Sequence, residues 1–91
     1  MIIRQPRYPK EEFARRGNEI YEQDVKPKLT AEDYGKYVAI DIETRQWEMN
    51  ADEGAADERL LSRVPDAQMW MSRVGYGYIR RFGGAVLRRS E

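Results

Sequence analysis

Neither cysteine nor histidine occurs in the 91 residues. Disulfide staples, thiolate and imidazole zinc sites, cysteine nucleophiles and serine-histidine-aspartate triads are all removed by that absence. Long hydrophobic runs are missing too. No stretch approaches the roughly 20 apolar residues that a membrane span needs, and the start, Met-Ile-Ile-Arg-Gln-Pro, has no hydrophobic segment of signal-peptide length. The expectation is therefore a cytoplasmic chain with no membrane partner. Net charge is also lacking, since 16 basic residues balance 16 acidic ones. There is no glycine-rich phosphate loop and no dinucleotide fingerprint, and Ser62, Ser72 and Ser90 have no base near them in sequence.

Aromatic residues are plentiful. Two Trp, six Tyr and two Phe within a 41% apolar composition are enough to pack a core, which a disordered chain of similar charge would lack. The length predicts one domain over 1–91, with a flexible lead-in over 1–8, a folded core over 9–84 and a tail over 85–91. A domain of this size buries only roughly 60–65% of the surface its unfolded chain exposes, so a partner chain or a second copy would add useful stability. Charge is spread unevenly. Residues 31–60 carry nine acids against three bases, whereas residues 61–91 carry six bases against two acids. The basic end is where an interaction surface is expected.

Pro9 suits a first helical position, and Phe13, Gly17, Ile20, Tyr21 and Asp24 fall on one helical stripe. The spacing predicts a helix over 10–25. Gly17 costs such a helix roughly 1 kcal/mol relative to Ala, which points to close packing at that position. Pro27 should end or kink the helix, and Thr30-Ala-Glu-Asp33 reads as a capped turn closed by Gly35. Val38, Ile40 and Ile42, then Trp47 and Met49, alternate with period two and predict a hairpin with these five residues on its buried face. Asn50 and Glu53 form a capping pair for a second helix over 52–63, with Ala56, Leu60 and Val64 as its apolar stripe. Gln68 to Val74 is apolar on both faces, Met69 and Met71 on one and Trp70 and Val74 on the other. That pattern marks a central strand. Gly75-Tyr76-Gly77 is a bend or bulge, and Tyr78 to Phe82 pairs back as a fourth strand. The fold class is α+β in the order α-β-β-α-β-β, with one small antiparallel or mixed sheet.

Two constellations carry chemistry. VAIDIET resembles the first motif of DEDD-type 3′–5′ exonucleases at Asp41, Glu43 and Thr44, where strand-borne carboxylates hold divalent metal for phosphoryl cleavage. Those enzymes need further acids from later motifs, with a His or Tyr, on a domain roughly twice this length. Metal-dependent hydrolysis at Asp41 and Glu43 is therefore the lesser reading, and Asp41 and Glu43 serve better as the polar side of a half-buried hairpin. The acids Asp52, Glu53, Asp57 and Glu58 lack the ligand order of a calcium loop and suit a helix N-terminus. The second constellation is Tyr76, Tyr78, Arg80, Arg81 and Phe82, followed by Arg88 and Arg89, in which rings interleave with guanidinium groups. Tyr and Arg are typical anchors of protein interfaces, and the same composition can stack bases and contact phosphates.

The ordered set EEFARRGNEIYEQDVKP, GKYVAIDIETRQWEM, DERLLSRVPDAQMW and SRVGYGYIRRFGG, covering residues 9–84, resembles a family of short uncharacterised proteins common in cyanobacteria and some other bacteria. In that family the hairpin turn usually reads DIETG, with glycine where this chain has Arg45, and the late segment often carries His at or beside the position of Arg80. The resemblance implies membership of two-gene cassettes like toxin–antitoxin pairs, some beside small retroviral-type aspartic protease-like proteins. The implied role is binding of that neighbour, antitoxin-like and non-enzymatic. Combined with the residues, the expectation is a protein-interaction module that uses Tyr76, Tyr78, Arg80, Arg81 and Phe82, with no catalytic residues, metal or cofactor. Homo-oligomerisation stands beside it, and nucleic-acid binding by the basic C-terminal segment is the alternative.

Overall fold

The computed structural model describes residues 7–83, with side chains over 7–79. The residues before Arg7 and the expected tail over 85–91 lie outside that range. Four antiparallel strands form one sheet: β1 (Tyr37–Asp41), β2 (Trp47–Asn50), β3 (Gln68–Arg73) and β4 (Gly77–Gly83). Their order across the sheet is β2-β1-β3-β4. Helix α1 (Lys10–Ile20) lies on one face and α2 (Glu53–Arg63) on the other. The fold is α+β with a single small sheet, as the sequence pattern predicts.

Each face has its own core. Phe13 and Ile20 of α1 pack with Val38, Ile40, Ile42, Trp70 and Val74, and the half-buried Trp47 and Met49 close that layer. The five expected hairpin residues therefore share one side, in a register that sets Val38 opposite Met49 and Ile40 opposite Trp47. On the reverse face Ala56 and Leu60 of α2 meet Ala39, Ala67, Met69 and Met71. The half-buried hairpin of the sequence reading is corrected in β1, where α2 covers the second face and Val38, Ala39, Ile40 and Asp41 are all buried. Alanine makes this possible. Ala39 and Ala56 present only methyl groups, so a helix can lie close over the strand without leaving a void.

The first helix changes its winding. The α-helix stops at Ile20, a π-helical turn occupies Tyr21–Val25, and a 3-10 turn follows over Lys26–Lys28. A continuous α-helix would press the Pro27 ring against the carbonyl of Gln23, and the wider turn lies just ahead of that conflict. Because a π-turn inserts one residue, it advances the apolar stripe by one position. Val25 is fully buried where an unbroken helix would have turned Asp24 inward, and Asp24 is free to pair with Arg45 at 3.1 Å.

Caps and turns follow local chemistry. Thr30 and Asp33 form the expected reciprocal capping box around a 3-10 turn at Ala31–Asp33, and Gly35 takes a positive φ of 87°. The cap of α2 is Asp52 rather than the expected Asn50: its carboxylate accepts from the Ala55 N–H at 2.9 Å. Asn50 instead accepts from the Asp52 N–H at 2.9 Å and shapes the approach. Gly17 shows the close packing its position implied. A Cβ there would fall on the Trp70 indole ring. Between β3 and β4 the register slips at Met71/Ser72, with Arg80 opposite Met71 and Tyr78 opposite Ser72. Ile79 is therefore the extra residue of a β-bulge. No described helix is long and apolar enough to cross a membrane.

Candidate functional site

The VAIDIET motif lies at one end of the strands, and there its carboxylates are committed to structure. Asp41 is 1% exposed. One carboxylate oxygen accepts from the backbone N–H groups of Gln68 at 2.9 Å and Glu43 at 3.3 Å. The other accepts from the Thr44 N–H at 3.1 Å and the Thr44 hydroxyl at 2.6 Å. With those acceptor sites occupied, Asp41 ties the β1–β2 turn to the start of β3.

Glu43 turns away from it. Its carboxylate receives the Arg7 guanidinium at 2.7 Å and 3.0 Å and the Tyr8 hydroxyl at 2.9 Å. The hydrogen bond from Arg7, helped by that from Tyr8, holds the Glu43 carboxyl below its ordinary range, and the same bond raises the Tyr8 phenol. Arg7 also reaches Asp66 at 3.2 Å and donates its backbone N–H to the Gln68 side chain at 2.7 Å. Arg7 and Tyr8, at the end of the expected lead-in, are thus bound to the sheet. Among the described residues no group of three or more acids is placed to hold a metal ion.

The opposite end of the strands is built from rings. Gly35 precedes β1 and Val74 follows β3; the Gly35 N–H donates to the Val74 carbonyl and the Val74 N–H to the Lys36 carbonyl, which brings Tyr34 and Tyr76 together. The two rings lie 5.5 Å apart. Arg73 stands between neighbours on either side, its guanidinium 4.2 Å from the Tyr76 ring centre and 4.9 Å from that of Tyr37. Its Nε donates to the Gly35 carbonyl at 2.9 Å, which fixes the planar group between the rings. Tyr78 lies over Trp70 at 5.7 Å. Gly75 is required here, because it has a φ of 88° and any Cβ would strike the Tyr34 ring.

Tyr34, Tyr76 and Tyr78 are 64, 60 and 49% exposed, and they are the exposed large hydrophobic residues among those described. All three gather at this end. Of the residues the sequence assigned to the site, Tyr76 and Tyr78 are exposed at this end. Arg80, Arg81 and Phe82 occupy β4 opposite Met71, Trp70 and Met69, and their side chains lie outside the described residues. Tyr34, Tyr37 and Arg73 were missed. The available signal was the pair of inverted dipeptides Tyr34-Gly35 and Gly75-Tyr76, which flank β1 and β3, strands that pair in the sheet.

Beside this cluster a groove of about 710 Å³ runs between the first helix and the β3–β4 hairpin. Trp70 forms part of its wall, and the indole N–H is buried with no acceptor. No family model matches the chain, and no curated protein and no solved structure matches it either.

Proposed function

We propose that this chain is a non-enzymatic protein-interaction module, acting in the cytoplasm, that binds its partner through the β4 edge and the tyrosine cluster beside it. The observation that carries the reading is the exposure of Tyr34, Tyr76 and Tyr78 at one end of the sheet, with Arg73 stacked on Tyr76, while the other large apolar side chains among the described residues are buried or half-buried. Tyrosine and arginine present large, rigid contact area at small conformational cost, which is why they dominate interface energetics. β4 adds a second element of recognition. It pairs only with β3 among the described strands, so its outer N–H and C=O groups can accept an extended segment of a partner as a further strand. Arg80, Arg81 and Phe82, along that strand, belong to the proposed contact. The partner we propose is the product of the neighbouring gene in a two-gene pair, on the resemblance described above.

Co-expression with that neighbour, followed by calorimetry on the purified pair, tests the reading. The expected outcome is a stable complex that Tyr76→Ala with Tyr78→Ala weakens by about tenfold or more, with the circular dichroism of the variant unchanged. A complex indifferent to both substitutions would place the interface elsewhere. Binding instead to single-stranded oligonucleotides, falling steeply with salt, would assign the surface to nucleic acid.

A further inference from the structure

We infer that the groove between the first helix and the β3–β4 hairpin is a binding site for a small planar aromatic anion, a ring system carrying a phosphate or carboxylate. Its volume of about 710 Å³ falls within the range of roughly 300–1,000 Å³ typical of small-molecule sites. Three aromatic residues line it: Tyr21, Trp70 and Tyr78. Trp70 is held on one side by the backbone at Gly17, where no side chain would fit, and on another by Tyr78. An indole fixed in this way needs no ordering when a ligand arrives, which favours affinity. Tyr78 is 49% exposed, so part of its ring remains open for stacking.

The charge of the rim selects the ligand's sign. Lys10 and Lys26 line the groove against one acid, Glu22, while the Arg73 guanidinium is engaged by the Gly35 carbonyl and the Tyr37 and Tyr76 rings. Glu22 is engaged by Lys26 at 3.3 Å, whereas Lys10 makes no ion pair or hydrogen bond among the described residues. The net field favours an anion beside an aromatic surface. The winding of the helix supplies an independent sign. Tyr21, Glu22 and Lys26 come from the π-turn and its end, and single π-turns inside helices occur frequently at functional sites. Burial, then the nearby Glu22 charge, pushes the Tyr21 phenol up, so it stays protonated and can donate to the ligand.

The groove shares Tyr78 with the proposed protein contact but does not require that partner to be present, and the isolated chain suffices to test it. Trp47→Phe leaves Trp70 as the sole tryptophan, and its indole N–H resonance reports occupancy of the groove. Adenosine 5′-monophosphate and 2-naphthoate should each shift that resonance saturably, and the tighter of the two identifies phosphate or carboxylate as the anionic group. Uncharged adenosine, and inorganic phosphate without a ring, should bind about tenfold more weakly or worse. Lys10→Ala with Lys26→Ala should weaken both anions by a similar factor, and Ala14→Phe, which fills the groove from an exposed helical position, should abolish the shift. Three results would overturn the inference: no saturable shift with either anion, adenosine equal to its monophosphate, or undiminished binding by the lysine double variant with its fold intact.

Discussion

The two ends of the sheet use the same kinds of residues in opposite ways. At the end where β1 runs into its hairpin turn, Asp41, Glu43, Arg7, Tyr8 and Gln68 hold one another in hydrogen bonds, and the acids there are occupied by partners within the chain. At the other end Arg73, Tyr34, Tyr37 and Tyr76 also touch one another, yet two of those rings remain more than half exposed. One arrangement closes on itself and the other presents a surface. A motif that spells metal chemistry thus sits where its carboxylates are held by the chain itself, while the opposite end presents exposed tyrosine rings.

The contrast can be broken most forcefully at Asp41. Asp41→Ala strands the buried Gln68 N–H and the turn donors and should cost about 3 kcal/mol in denaturant unfolding, whereas Tyr76→Ala, at the open end, should cost under about 1 kcal/mol. Equal losses would abolish the distinction. Gly17→Ala comes next. An exposed helical glycine gains roughly 1 kcal/mol on this change, but here the added methyl meets Trp70 and the expected result is a loss of about 2 kcal/mol. A gain would show that the indole moves easily and is not held as described.

Acid should loosen the closed end. Glu43 is depressed first by the hydrogen bond from Arg7. A depressed carboxyl contributes stability above the ordinary carboxylate range and loses it as pH falls through the lowered value. Glu43→Gln should therefore lower the melting temperature slightly at neutral pH, as expected for so exposed a pair, and the difference should vanish in acid. A difference that persists there would assign the effect to packing. The smallest change is at Arg45, which holds a φ of 70°. Arg45→Gly relieves roughly 1–2 kcal/mol of left-handed strain and gives up an exposed pair with Asp24 worth at most about 1 kcal/mol, so a gain of about 0.5 kcal/mol is expected from chemical denaturation. A net loss would make the bridge to the first helix worth more than the strain.

Much of this was legible in the residues. Alternation from Val38 to Met49 placed the hairpin and its buried side, and the two-sided Gln68–Val74 run marked β3 as central. Gly17 announced close packing before its partner was known. What sequence could not convey was phase and proximity. The π-turn shifts the stripe from Asp24 to Val25 because of a local conflict at Pro27, which a fixed 3.6-residue period does not register. Arg45 occupies a left-handed backbone conformation that favours glycine, and its side chain bridges to Asp24. The tyrosine cluster draws on positions 34 to 78, so only strand pairing brings it together.

Asp41 also bears on the order of assembly. Its bonds to Glu43 and Thr44 span two or three residues, while its bond to Gln68 spans 27. The short-range set can form in the hairpin alone, at little entropic expense. It holds in place the oxygen that accepts from Glu43, and the same oxygen accepts the Gln68 N–H at the start of β3. Asp41 therefore joins a local set of contacts to a distant one, the kind of link whose sequence separation bears on folding rate.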